Sequence, residues 1–162
     1  MPWSARRLAI GVYSWAHPRL PARIRLMINE EFLKFYKERG SGALDQKMGI
    51  VITEAQEGRI VGTMPVDGNT QPMGLLHGGA NVVLAESLGS IGTSLHAGPT
   101  RKIVGVDINA THHKSATTGL VTGVATAISL GKTLCSWEII ITNEQGQRTC
   151  TARITCLILA ER

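Results

Sequence analysis

One run constrains this chain more than any other: across residues 79–96, Glu86 is the only residue with a formal charge. Ala80, Leu84, Leu88, Ile91 and Leu95 recur there at helical spacing and form one apolar stripe. Glu86 falls on the far side, beside Gly79, Val82, Ser90 and Thr93. A helix lying on a surface carries several charges on its solvent face, so this one is expected to be covered on most sides.

The segments around it supply the cover. Asn29 is placed to cap a helix that ends near Arg39, with Gly40 at its carboxy end. Residues 48–56 and 59–64 read as a hairpin around Glu57-Gly58. After the central helix, strands are expected at 103–114, 120–129, 133–142 and 148–159, separated by turns at Thr118-Gly119, Leu130-Gly131 and Glu144-Gln145-Gly146. Helix, two strands, long helix and four strands make an α+β fold, a curved antiparallel sheet wrapped around one long helix.

At 162 residues and 43% hydrophobic content the chain is one domain with enough apolar material for a core. Its net charge of +5 is carried by Arg6, Arg7, Arg19, Arg23 and Arg25, in a segment 1–26 that holds no acid. Residues 27–162 are therefore neutral, which argues against a nucleic-acid partner. Segment 1–26 has three prolines and little periodicity, and is read as a poorly ordered extension, or as translation from upstream of a start at Met27. A signal peptide is the sharper alternative, but the apolar stretch after Arg6-Arg7 is short and more arginines follow it. Nothing approaches the ~18 apolar residues that span a bilayer. Cys135, Cys150 and Cys156 are odd in number and lack metal-ligand spacing, which fits buried, reduced thiols in a cytoplasm.

A carboxylate inside an apolar helix needs a reason, because burial disfavours its charge. It is either a core glutamate with donors from elsewhere or a catalytic group. The preceding Gln71-Pro72-Met73-Gly74-Leu75-Leu76-His77-Gly78-Gly79 loop adds weight to catalysis. Gly78 and Gly79 open the helix with N–H groups that no earlier turn satisfies, and such groups polarise a carbonyl or hold an oxyanion. His77 either orients that loop or moves a proton. His112 and His113 are adjacent on an expected strand, point to opposite faces and cannot chelate one metal together. Trp137 and the cysteines read as core, and Arg101 and Lys102 as solvated.

Five motifs in order carry a resemblance: Met64-Pro65-Val66-Asp67, the block 71–90, Asn109-Ala110-Thr111-His112-His113, Ser136-Trp137-Glu138 and Glu144-Gln145-Gly146. From about Met48 onward the chain resembles the hotdog-fold acyl-CoA thioesterases, in the branch that acts on aromatic acyl groups. That branch includes the 1,4-dihydroxy-2-naphthoyl-CoA hydrolases and the enterobactin-pathway proofreading thioesterases. The resemblance implies an acyl-CoA substrate and no cofactor, CoA being part of the substrate. It makes Glu86 the catalytic carboxylate, attacking the thioester or activating water, and Gly78 the backbone donor to the thioester oxygen. Gln71 and His77 would shape that oxygen's surroundings, and Ser90 would position water or the acyl ring. Ile91 and Met73 would line the acyl pocket, while His112, His113, Lys114 and Ser115 would lie near the CoA. Hotdog dehydratases carry a His-Phe-Pro-Gly or Asp-to-His pattern that is missing here, and a non-catalytic acyl-CoA-binding module would not need an acid at position 86.

Glu86 lies eight residues beyond Gly78, about 12 Å along a helix axis. A reacting carbonyl must sit within about 3 Å of both its donor and its attacking group. One chain cannot easily supply both, so the expectation is an obligate homodimer with antiparallel central helices and shared sites. The resemblance implies the same arrangement, commonly doubled into a dimer of dimers.

Overall fold

The computed structural model of the chain describes Tyr36 and residues 40–160. The extension read over 1–26 and the helix expected over 29–39 lie outside the described residues, except for Tyr36, which is helical. The described elements are α1 (Gly42–Met48), β1 (Val51–Gln56), β2 (Arg59–Pro65), α2 (Gly78–Ala97), β3 (Ile103–His112), β4 (Leu120–Leu130), β5 (Leu134–Asn143) and β6 (Arg148–Ile158).

The six strands form one antiparallel sheet in the order β1-β2-β4-β5-β6-β3, and α2 touches every one of them. This is the expected helix wrapped by a curved sheet, the hotdog fold. Alternate residues of β5 (Cys135, Trp137, Ile139, Ile141) and of β6 (Cys150, Ala152, Ile154, Cys156) point inward and are buried, as the two-residue period of a strand requires. β3 pairs only with β6, so its outer edge is open, and Val104 and Val106 on it are exposed.

Helix α1 corrects one expectation. Residues 48–50 are not part of the first strand: Met48 ends α1, and Gly49 turns the chain with φ 69° before β1 starts at Val51. Ala43, Leu44, Gln46 and Lys47 favour helix, and Asp45 near its start and Lys47 near its end suit the helix dipole. Seven residues are too few for an apolar stripe to announce themselves.

The face that α2 lays on the sheet is also broader than its leucine stripe. Leu84, Ala85, Leu88, Gly89, Gly92 and Thr93 are all buried, so the side of the helix that carries Glu86 is itself part of the core at Thr93. Added Cβ atoms would strike Ile154 at Gly89 and the Trp137 ring at Gly92. Missing side chains let the helix sink onto β5 and β6, a contact that a search for apolar residues does not register. Trp137 Nε1 donates to Thr93 Oγ1 at 2.9 Å, and that hydroxyl donates to the Gly89 carbonyl at 2.9 Å, so the buried indole and hydroxyl are both satisfied. Arg101 is a second correction: it is half-buried and donates through Nε and Nη2 to the Leu159 carbonyl at 3.0 and 2.8 Å, pinning the end of β6.

Candidate active site

The loop before α2 is held from several sides. Asn69 Nδ2 donates to the carbonyls of Met48 and Pro65, Leu76 N–H to Ala116 and His77 N–H to Asn69. Within it Gln71 closes a tight turn, its Oε1 accepting from Met73 N–H at 2.6 Å. His77 then leaves the loop in extended conformation and caps the helix, its Nδ1 accepting from Gly79 N–H at 2.9 Å. A ring that accepts at Nδ1 keeps its proton on Nε2.

That cap sorts the N–H groups of the first turn. Gly79 is committed to His77 Nδ1 and Ala80 to the His77 carbonyl, whereas Gly78 N–H has no acceptor among the described residues. His112 comes in from the end of β3 with its ring over Gly78, where an added Cβ would stand 2.8 Å from Nε2. His113 points the other way, to Thr151 Oγ1 at 2.9 Å, as adjacent strand residues must. Lys114 and Ser115 follow in the exposed segment beyond.

Glu86 lies two turns further on, in a separate environment. It lines a cavity of about 240 Å³ together with Ser87, Ser90 and Ile91 of α2, Asp45 of α1, Ser41, and Tyr36. Burial pushes its carboxyl group above the usual range, and the Ser90 hydroxyl pulls it part of the way back. Asp45 is pushed up in the same way and relieved by Ser87, whose Oγ donates to Asp45 Oδ1 at 2.7 Å.

The expected residues thus fall into two groups. Glu86, Ser90 and Ile91 share the cavity; His77, Gly78 and His112 meet at the helix start, about 12 Å away along α2, and Gln71 lies in the turn of the loop that leads to it. Met73 is 79% exposed and belongs to neither group within one chain. Tyr36, Ser41, Asp45 and Ser87 were not legible as site residues. Ser87 could have been found as the neighbour of Glu86, but Asp45 depended on placing α1.

A carboxylate with a raised proton affinity in a cavity of about 240 Å³, and a helix-start N–H uncommitted among the described residues, are parts for attack on an activated carbonyl. Comparisons with known proteins supply the family. Residues 73–150 match the model of the thioesterase superfamily. The proofreading thioesterase EntH of Cronobacter sakazakii is 44% identical over 73% of this chain and 87% of its own length. The chain belongs to the thioesterase superfamily. Among solved structures, a thioesterase from Pseudomonas aeruginosa superimposes with TM-score 0.73 at 36% identity, covering 78% of this chain and 93% of the other. One from Haemophilus influenzae gives 0.71 at 39% identity, covering 75% and 86%.

The matched span of this thioesterase includes the helix start, Glu86 and β3, whereas Tyr36, Asp45 and Gln71 precede it. Among the described residues, no group of three or more His, Cys, Asp or Glu side chains could hold a metal ion, and no helix is long and apolar enough to cross a membrane. Cys135, Cys150 and Cys156 are free and buried, and burial pushes each thiol up, away from the reactive thiolate.

Proposed function

We propose that this thioesterase hydrolyses an aromatic acyl-CoA to the free acid and CoA at sites shared between two chains. The observation that carries the reading is the cavity beside Glu86. A cavity of roughly 150 Å³ takes benzene, so about 240 Å³ with Ile91 and Tyr36 in its wall admits an aryl ring with a substituent.

In the proposed site Glu86 either attacks the thioester carbon or takes a proton from the water that does. The C–S bond breaks and CoA leaves as the thiol, its proton coming from the water; where Glu86 has attacked the carbon, that water cleaves the resulting acyl–Glu86 anhydride to release the acid and restore the carboxylate. Gly78 N–H of the other chain donates to the carbonyl oxygen, which gains negative charge during attack, so the bond strengthens in the transition state. His77 and Gln71 hold that N–H in place by fixing the loop and cap. Ser90 tunes Glu86, Ile91 meets the ring, and Met73, bare on its own chain, completes the pocket of the partner. His112, His113, Lys114 and Ser115 contact the CoA portion. No cofactor is needed.

The dimer follows from the spacing along α2, and the open edge of β3 is where a second sheet can continue the first. Two such dimers pair in the proposed assembly. The three reduced thiols support a cytoplasmic location.

The test is a steady-state survey of CoA release with 1,4-dihydroxy-2-naphthoyl-, hydroxybenzoyl-, phenylacetyl- and straight-chain acyl-CoA. The reading expects kcat/KM to be highest for an aryl thioester. A clear preference for long aliphatic chains would reject the aromatic assignment while leaving the thioesterase intact.

A further inference from the structure

Strand β3 passes directly over the carboxyl group of Glu86. A Cβ built on Gly105 would overlap Glu86 Oε1 and stand 3.3 Å from Cδ and 3.5 Å from Oε2, so the whole carboxyl group rests on a bare Cα. The backbone does not demand glycine there, because Gly105 lies outside the left-handed region that many other glycines of the chain occupy. The pairing of β3 with β6 also slips between Gly105 and Asp107, leaving Val106 as an extra residue. Such a bulge bends a strand and re-aims its neighbours. Two independent departures from a regular strand therefore coincide at the point where the strand meets the carboxylate.

We propose that Gly105 is a positioning residue of this thioesterase: the missing side chain sets where the Glu86 carboxylate lies and hence its line of approach to the thioester. The inference rests on the assignment of Glu86 as the reacting group. The atom in the way of a Cβ is the end of a flexible side chain, so a methyl group displaces the carboxylate and leaves β3 and α2 in place. Restoring ordinary contact takes a shift of about 1 Å, and misplacement on that scale costs on the order of 10²-fold in rate.

The experiment compares Gly105→Ala, Glu86→Asp, the double variant and Glu86→Gln, each checked for folding by thermal melting. Gly105→Ala should melt near wild type, keep KM within a few-fold and lose kcat by roughly 10²-fold. Glu86→Asp alone should also be slow. In the Gly105→Ala background, however, shortening the side chain by one methylene makes room for the methyl group, so the double variant should be faster than Gly105→Ala alone. A purely structural role for Gly105 would make the two losses add, and additive losses overturn the proposal. Wild-type kcat in Gly105→Ala with an inactive Glu86→Gln overturns it too, while preserving Glu86. An active Glu86→Gln rejects the assignment on which both rest. An unfolded Gly105→Ala chain contradicts the inexpensive displacement and also counts against the proposal.

Discussion

The Ser87 hydroxyl donates to Asp45 Oδ1 at 2.7 Å and so ties α1 to the residue next to Glu86. Burial raises the Asp45 carboxyl above its ordinary value, and Ser87 opposes that rise. A raised acid is disfavoured as the charged form in the folded state, so its burden is absent below the ordinary aspartate value, grows from there to the raised folded value and is complete above it. Asp45→Asn keeps an acceptor for Ser87 without the charge. It should melt higher than wild type near neutral pH, and the gain should shrink as pH falls towards the ordinary aspartate range. Thermal melts across pH decide this; a gain that persists unchanged in acid would contradict it.

Glu86 carries the same sign, with burial the larger cause and Ser90 the opposing one. The acidic limb of kcat/KM reports the free enzyme's carboxylate, so it should lie above the usual glutamate range. Ser90→Ala removes the influence that lowers Glu86 and should move that limb to still higher pH. An unmoved limb, or one displaced downward, would separate Ser90 from Glu86.

His77 caps α2 through Nδ1, and this favours orientation over proton transfer. His77→Ala should cost about 1 kcal/mol of stability, the usual scale for a lost cap, and lower kcat by loosening the helix start. His77→Asn can still cap, so it should recover most of both. A His77→Asn protein with wild-type stability and no activity would mean that the imidazole moves a proton.

The parts of this molecule that were legible in the sequence are those written in side-chain pattern. The β5 alternation at Cys135, Trp137, Ile139 and Ile141, the helix start at Gly78 and the isolation of Glu86 all follow from periodicity and charge. What escaped is written in absences or in short pieces. Gly89 and Gly92 bury a helix face by having nothing to bury, Gly105 carries no side chain to suggest a role, and α1 is too brief for a stripe. Asp45 reaches the cavity only because α1 folds back onto α2 across 42 positions of sequence. Arg101 looked solvated because a backbone carbonyl 58 residues away leaves no mark in the sequence.

The shared site can be tested by mixing two inactive chains. Gly78→Pro removes the N–H proposed to polarise the thioester, and proline suits the first helical position after an extended His77, but its Cβ meets the His112 ring, so the variant is first shown to fold and dimerise. Mixed with Glu86→Gln, it forms heterodimers in which one site collects both defects and the other has neither. Random exchange makes about half the dimers mixed, so activity should recover towards roughly a quarter of wild type. Demonstrated exchange with no recovery would place each complete site within a single chain.

The most direct measurement is kcat for CoA release by Glu86→Gln against wild type, with folding and oligomeric state verified. The amide is nearly isosteric but can neither attack nor accept a proton, so kcat should fall to near background while KM changes little. Losing a half-buried charge should also leave the variant at least as stable as wild type at neutral pH, since partial burial disfavours the Glu86 carboxylate. A folded Glu86→Gln protein that retains near-normal kcat would show that the chemistry does not depend on Glu86.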